Sequence, residues 1–326
     1  MDNAPEISVV CSTYSRADRL EGLLTALERQ TFHVDRFEVV VVDDASIDNT
    51  RDVLEKFAAS SPLHLHIVPL DDNRGRAGGR NVGWRAARAP IVAFTDDDCA
   101  PDPDWLQQGY NAISAGARIV VGRTEPNPAQ QHNSGAFSRT QKVGEVSGKR
   151  YFQTCNIFYR RADLEAVDGF NEEFSTKGGE DTDLGWRILE TGGEVAFASD
   201  ALVLHDVTVG SFRAALREAS SWLDIPLVVA RHPKRARPLL IHRLFWKKTH
   251  ELVIVAVGGV TLAVLVRNPI PLLATIPWIR FRLRKWPIVA GSWPERARYL
   301  PHALLIDAAE VTAMVRGSIR SRVIVL

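Results

Sequence analysis

Residues 37–44 read FEVVVVDD, a phenylalanine and four consecutive valines ended by two adjacent aspartates. A β-branched run of strand length that stops on acid reads as a buried strand. Outward from it the pattern repeats, with ISVVC at 7–11 before it and apolar runs at 65–68 and 91–94 after it. Between the first two runs, Leu20, Leu23, Leu24 and Leu27 share one helical face. Asp48 and Asn49 are placed to cap a second helix ending near Ala58, and 81–88 reads as the end of a third. Strands alternating with helices predict an α/β open sandwich with a mostly parallel central sheet covered on both faces. Ligands are expected beyond the carboxyl ends of its strands.

The remaining chain divides by composition. Its 326 residues are 45% hydrophobic and 24% charged, with a formal net charge of +1. That near-neutrality conceals a net of −12 over residues 1–226 and +13 over 227–326. We therefore expect two regions, a domain at 1–226 and a basic, apolar helical region at 227–326. Three dispersed cysteines without a CxxC pair argue against structural zinc and a disulfide scaffold. The opening MDNAPEISVV lacks a basic stretch before an apolar run, so no signal peptide is expected and a reducing, cytoplasmic setting follows. The polar stretch 126–150 reads as a long functional or disordered loop. Order is expected to resume at 151–160, with a helix over 181–190 and two short strands over 194–205.

At 231–238, RHPKRARP forms a basic, proline-bounded linker. Residues 252–266 carry no charge, Arg267-Asn268-Pro269 interrupts, and 270–279 is apolar again. A fifteen-residue helix is about 22 Å long against a hydrocarbon core of roughly 30 Å. Carrying Arg267 to the bilayer centre would cost about 2.5–3.5 kcal/mol. Arg243, Lys247 and Lys248 before the run, and Arg280, Arg282, Arg284 and Lys285 after it, put both ends on the cytoplasmic side. A re-entrant or in-plane hairpin at the membrane is expected, with a buried core helix as the alternative. Residues 302–315, with Asp307 and Glu310, read as an amphipathic helix. Trp222, Trp246, Trp278, Trp286 and Trp293 suit a membrane interface, while Trp84, Trp105 and Trp186 suit a core. Basic residues interleaved with long aliphatic runs do not form a solvated nucleic-acid face, so no nucleic-acid partner is expected.

Chemistry concentrates in three acidic clusters at strand or helix ends: Asp43-Asp44, Asp96-Asp97-Asp98 and Glu180-Asp181. Carboxylates crowded together raise one another's pKa, and a divalent cation removes that penalty. Short aspartates favour hard ions such as Mg²⁺ or Mn²⁺, which commonly bind together with substrate phosphates. Asp48, Asp102 and Asp104 are assigned to caps and turns. The glycine-rich GRAGGRN (75–81) allows close backbone approach, and Arg76 and Arg80 offer forked donors for phosphate. It matches neither a Walker nor a Rossmann loop.

Five segments together resemble the inverting family-2 glycosyltransferases of the GT-A fold: SVVCSTYSR (8–16), VVVVDDAS (39–46), NRGRAGGRN (73–81), AFTDDDCAPDPDWL (93–106) and GGEDTDLGWRILETGG (178–193). The resemblance covers about residues 6–210. It implies a nucleotide-diphosphate sugar donor, with Thr13, Tyr14 and Arg16 by the nucleotide, Asp44 accepting from the base, usually uracil, and Arg80 near the diphosphate. It also implies that Asp96 and Asp97 face the donor and that Asp98 holds Mn²⁺ or Mg²⁺ with His205. Asp181 would be the general base, with Glu180 as the alternative, and Thr154 and Asn156 would touch the acceptor. Cys99 receives no role. The departure CSTYSR, where many members carry a proline and an asparagine, leaves base and sugar preference open.

With the C-terminal pattern, the expectation is transfer to a lipid-linked or membrane-proximal glycan at the cytoplasmic membrane face. A membrane-bound adaptor with an inactive transferase-like domain and a sugar-1-phosphate nucleotidyltransferase are the rivals. The second would carry a glycine-rich loop with a lysine near the N-terminus, which CSTYSRADR is not.

Overall fold

The valine run forms β2 (Phe37–Asp43), buried along its whole length. In the computed structural model, which describes residues 4–176, 178–285 and 293–326, it sits in an eight-stranded sheet of order β3-β2-β1-β4-β7-β6-β8-β5. The other strands are β1 (Ile7–Thr13), β3 (Leu65–Pro69), β4 (Ile91–Thr95), β5 (Cys99–Pro101), β6 (Ile119–Pro126), β7 (Asn156–Arg160) and β8 (Val195–His205). Lys177 and Trp286 lie outside the described residues.

The half β3-β2-β1-β4 is parallel, as β-branched runs separated by helices require. The other half is mixed: β7 runs against both β4 and β6, β6 is parallel to β8, and β5 runs against β8. The sheet is thus less parallel than its sequence suggests, because β7 inserts between two strands far earlier in the chain. Residues 194–205 also form one long strand rather than two, with a register shift opposite Gly122 and Arg123. The helices of this part are α1 (Ala17–Glu28), α2 (Thr50–Ser60), α3 (Gly75–Ala86), α4 (Trp105–Ser114), α5 (Glu145–Tyr151), α6 (Arg161–Ala166) and α7 (Glu180–Glu190). Leu20, Leu23, Leu24 and Leu27 are the buried face of α1, and Asp48 Oδ1 accepts from the Thr50 N–H at the start of α2. Trp84, Trp105 and Trp186 are all buried.

The glycine-rich segment opens helix α3, the third helix, whose end the sequence places at 81–88 and which closes at Ala86. Glycine disfavours a helix by about 1 kcal/mol per residue, but here close packing repays it. A Cβ on Gly79 would stand 2.2 Å from Ser12 Oγ, and one on Gly83 would stand 2.5 Å from Val10 Cγ1. The glycines therefore bring α3 directly onto β1. The stretch 126–150 is likewise not one loop, since it contains a 3₁₀ turn at Pro128–Asn133 and helix α5.

The described chain forms two compact units, one of residues up to 131 with 140–175 and 180–206, the other of 132–139, 176–179 and 207–326. The sheet lies in the first. The second is helical, with α8 (Phe212–Glu218), α9 (Ile225–Arg231), α10 (Pro233–Ala236), α11 (Lys248–Val266), α12 (Ile276–Lys285), α13 (Trp293–Ala297) and α14 (Leu300–Arg320). Its core includes Leu252, Val253, Ala256, Trp278 and Ala303. Trp278 is thus a core residue and not an interface tryptophan, and its Nε1 donates to Asp307 Oδ2 at 2.8 Å. The two acids of α14 point inward: Arg282 pairs with Asp307, while Lys247 and His250 reach Glu310 at 3.0 and 3.1 Å. Trp222 stacks under Lys247, and Trp293 is exposed.

Candidate active site

β1, β2 and β4 end side by side, and so do their polar residues. Thr13 closes β1, and its hydroxyl donates to Asp97 Oδ2 at 2.7 Å. Asp44 follows β2, buried, and accepts the Arg74 N–H at 2.7 Å. Burial raises its pKa despite that bond. Ala45 next to it is held at φ 61°, a left-handed turn that costs a non-glycine residue about 1–3 kcal/mol and places strain beside the Asp44 carboxylate. Tyr14 stands 45% exposed above this edge.

The three aspartates after β4 are divided among different partners. Asp96 Oδ1 accepts from Arg80 Nη2 at 2.9 Å. Burial alone would raise its pKa, but Arg80 and Arg76 bring it below the ordinary carboxylate value. Asp97 is pushed up to about 6 by burial, against the pull of Arg16. Asp98 Oδ2 takes Arg16 Nη1 at 3.0 Å and Arg19 Nη1 at 3.3 Å. Arg19 is a residue that sequence reasoning missed, although it stands in the first turn of α1, three positions after Arg16 at the helix cap.

Asp98 Oδ1 faces His205 Nε2 at 3.3 Å. The other ring nitrogen, Nδ1, lies 3.0 Å from the Asp206 carbonyl. A carbonyl only accepts, so Nδ1 donates there and Nε2 is the nitrogen turned toward the carboxylate oxygen. A divalent cation is one way to bridge the two groups. Two ligands about 2.1 Å from one ion in adjacent positions stand about 3 Å apart, so the pair fits Mn²⁺ or Mg²⁺. Cys99 joins them, because β5 pairs with β8 with Cys99 opposite His205. Its sulfur and the ligand atoms of Asp98 and His205 all lie within 4.8 Å of one another. Burial pushes the Cys99 thiol well up, which keeps it protonated without a metal. Nothing in the spacing of a single cysteine signals this proximity; the strand register creates it.

The third cluster comes from α7. Glu180 is buried, with Oε1 accepting from Arg80 Nη1 at 3.2 Å and Oε2 without a hydrogen-bond partner among the described residues. Asp181 next to it is pushed up to about 8 by burial and by the Glu180 charge. Arg80, expected beside a diphosphate, is instead buried between Asp96 and Glu180 and joins two clusters separated by a long stretch of sequence. Its guanidinium has two carboxylates to neutralise and stays fully charged.

The two residues expected at the acceptor do not present themselves to one. Thr154 is buried. Asn156 is fully buried, accepts from Trp105 Nε1 at 2.8 Å, and donates to the Arg123 and Ala201 carbonyls at 2.9 and 2.8 Å. Its side chain joins α4 to β6 and β8 and has nothing left for a substrate.

A model described as glycosyl transferase family 2 matches residues 8–167, and one described as the N-terminal domain of galactosyltransferase matches residues 137–206. Glycosyltransferase AglE of Haloferax volcanii is 30% identical over 210 residues, which cover 62% of this chain and 67% of that protein. Validoxylamine A glucosyltransferase of Streptomyces hygroscopicus subsp. jinggangensis is 30% identical over 283 residues, 76% of this chain and 65% of that protein. The chain thus spans about two thirds of the length of both. Among solved structures, the mannosyltransferase PcManGT of Pyrobaculum calidifontis, in complex with GDP-Man and Mn²⁺, has a TM-score of 0.61 at 22% identity. The match covers 97% of this chain and 87% of that one and establishes the shared GT-A-like fold. With its strand-end carboxylates on that fold, the chain belongs to glycosyltransferase family 2.

Proposed function

We propose that the protein is an inverting transferase that moves a sugar from a nucleotide-diphosphate donor, UDP-linked in the first instance, to a lipid-linked or membrane-proximal glycan at the cytoplasmic membrane face. The observation that carries this reading is Arg80, which gathers the Asp96–98 cluster and the Glu180–Asp181 pair into one charged site. Thr13, Tyr14 and Asp44, at the ends of β1 and β2, border the nucleotide. Asp98 and His205 would hold a divalent cation, with Cys99 beside them, and such an ion neutralises charge on the diphosphate leaving group.

Asp181 is the general base. Its raised pKa makes it a stronger base than an ordinary aspartate, and it takes the proton of the acceptor hydroxyl as that oxygen bonds to the anomeric carbon. The bond to the diphosphate breaks on the opposite face, which inverts the configuration. Glu180 is less suited to the same task, since its carboxylate is held by Arg80; it keeps the Asp181 pKa high instead. Arg16 and Arg19 neutralise Asp97 and Asp98 at the donor edge. The membrane location is supported by the apolar second unit and the +13 charge of residues 227–326.

A thermal shift with UDP, GDP and dTDP, each with and without Mn²⁺, tests the donor reading. Ligand at 100 times its dissociation constant adds about 2.7 kcal/mol. Manganese-dependent stabilisation by one nucleotide is the expected result. No response to any of them would leave a binding protein with a transferase-like shell.

A further inference from the structure

The exposed aliphatic surface of the second unit is concentrated on one hairpin. α11 runs outward to Val266, the chain turns at Arg267 with φ 50°, and it returns through Ile270–Thr275 into α12. Gly259 lets the return pass close by, since a Cβ there would stand 2.6 Å from the Pro271 carbonyl oxygen. The start of α11 belongs to the protein core, with Leu252, Val253 and Ala256 packed in the same cluster as Trp278 and Ala303. Farther out, Val257, Val260, Leu262 and Leu265 are 44–75% exposed. At about 100° per residue these four spread over an arc of about 200°, twice the stripe of a helix that rests on a surface. On the return, Ile270 and Leu273 are more than 60% exposed.

Charge is arranged to match. Between Glu251 and Arg280 the only charged residue is Arg267, at the turn. Back toward the base, Arg280 and Arg284 are exposed one helical turn apart on α12. From Val255 to Val266 the exposed part of α11 is about 16 Å long, about half the thickness of a hydrocarbon core.

We propose that the hairpin α11–α12 is a one-leaflet anchor that enters an anionic bilayer obliquely from one side. Its aliphatic flanks are surrounded by acyl chains, Arg280 and Arg284 meet acidic headgroups, and Arg267 reaches back to the phosphates instead of crossing. This deepens the membrane reading above and rests on it: the packed start of α11 is not lipid-facing, so the helix does not span.

The test is flotation of the full chain with vesicles of phosphatidylcholine alone or mixed with phosphatidylglycerol. Wild type should float with the mixed vesicles, and V264D/L265D should lose at least tenfold in partitioning. R280E/R284E should lose its preference for phosphatidylglycerol and keep its partitioning onto neutral vesicles. Cys11, Cys99 and Cys155 are buried, so Leu265→Cys accepts an environment-sensitive fluorophore selectively; lipids with a mid-chain nitroxide should quench it. Unchanged flotation of V264D/L265D overturns the proposal, as does a wild type that fails to float and self-associates through the hairpin. Nucleotide-induced thermal stabilisation, measured on the same samples, separates the two readings. Flotation without any nucleotide response removes the transferase reading and leaves the anchor standing, and the reverse result removes only the anchor.

Discussion

His205 Nε2 lies 3.3 Å from Asp98 Oδ1, with its Nδ1 turned to the Asp206 carbonyl. The two groups are placed to share the divalent cation proposed above. Asp98→Ala and His205→Ala should each weaken Mn²⁺ binding at least tenfold by calorimetry. Equal affinity in either variant would remove that residue from the ion's ligands.

Asp181 should govern the pH dependence. Its pKa of about 8 means that it is mostly protonated at pH 7 and gains its basic form as pH rises. Transfer rates, measured as kcat/KM, should therefore climb between pH 6 and 9. Asp181→Asn should cut turnover by about 10²–10⁴-fold while sparing donor affinity. The linkage has the opposite sign for stability: unfolding ionises this acid near pH 4, whereas the folded protein retains the proton until about 8, so the native state loses stability across that interval. The Asn variant should consequently unfold at a higher temperature than wild type at pH 8. Turnover retained in Asp181→Asn would move the base role to Glu180.

Arg80→Met removes the shared partner of Asp96 and Glu180. Stranding a buried charge costs about 3–5 kcal/mol, so a clear fall in Tm should accompany the loss of activity, with partial recovery in Arg80→Lys. A variant with wild-type Tm and only weakened nucleotide affinity would return Arg80 to the role of a phosphate ligand.

Asn156→Ala should act on stability alone. It leaves the buried Trp105 N–H without its acceptor, a penalty of about 1–3 kcal/mol. Tm should fall by several degrees while the acceptor KM stays constant in the surviving activity. A raised acceptor KM at unchanged Tm would restore it as a substrate contact.

Strands and acids were legible in the sequence because both are local signals: a β-branched run is a strand of a given length, and an aspartate after it stands at its end. What was not legible depends on separation. Arg80 and Glu180 are 100 positions apart, and Cys99 meets His205 only through the pairing of β5 with β8. α3 was legible only at its end, since the glycines of its first turns argue against a helix until the packing against Ser12 and Val10 is known. Asn156 lies where a substrate contact was sought, yet its hydrogen bonds to Trp105, Arg123 and Ala201 consume the side chain.

The second unit does not begin at a single place in the chain. Residues 176–179 belong to it, and Thr176 is fastened there by its N–H to Asp224 Oδ2 at 2.7 Å and by its hydroxyl to the Ser221 carbonyl at 3.0 Å. Four positions later stands Glu180. A chain shortened after Asp206 to make it easier to handle would take away both hydrogen-bond partners of Thr176. The greasy part of this protein is therefore not a detachable tail: pieces of the same unit lie earlier in the sequence and would be left without their packing.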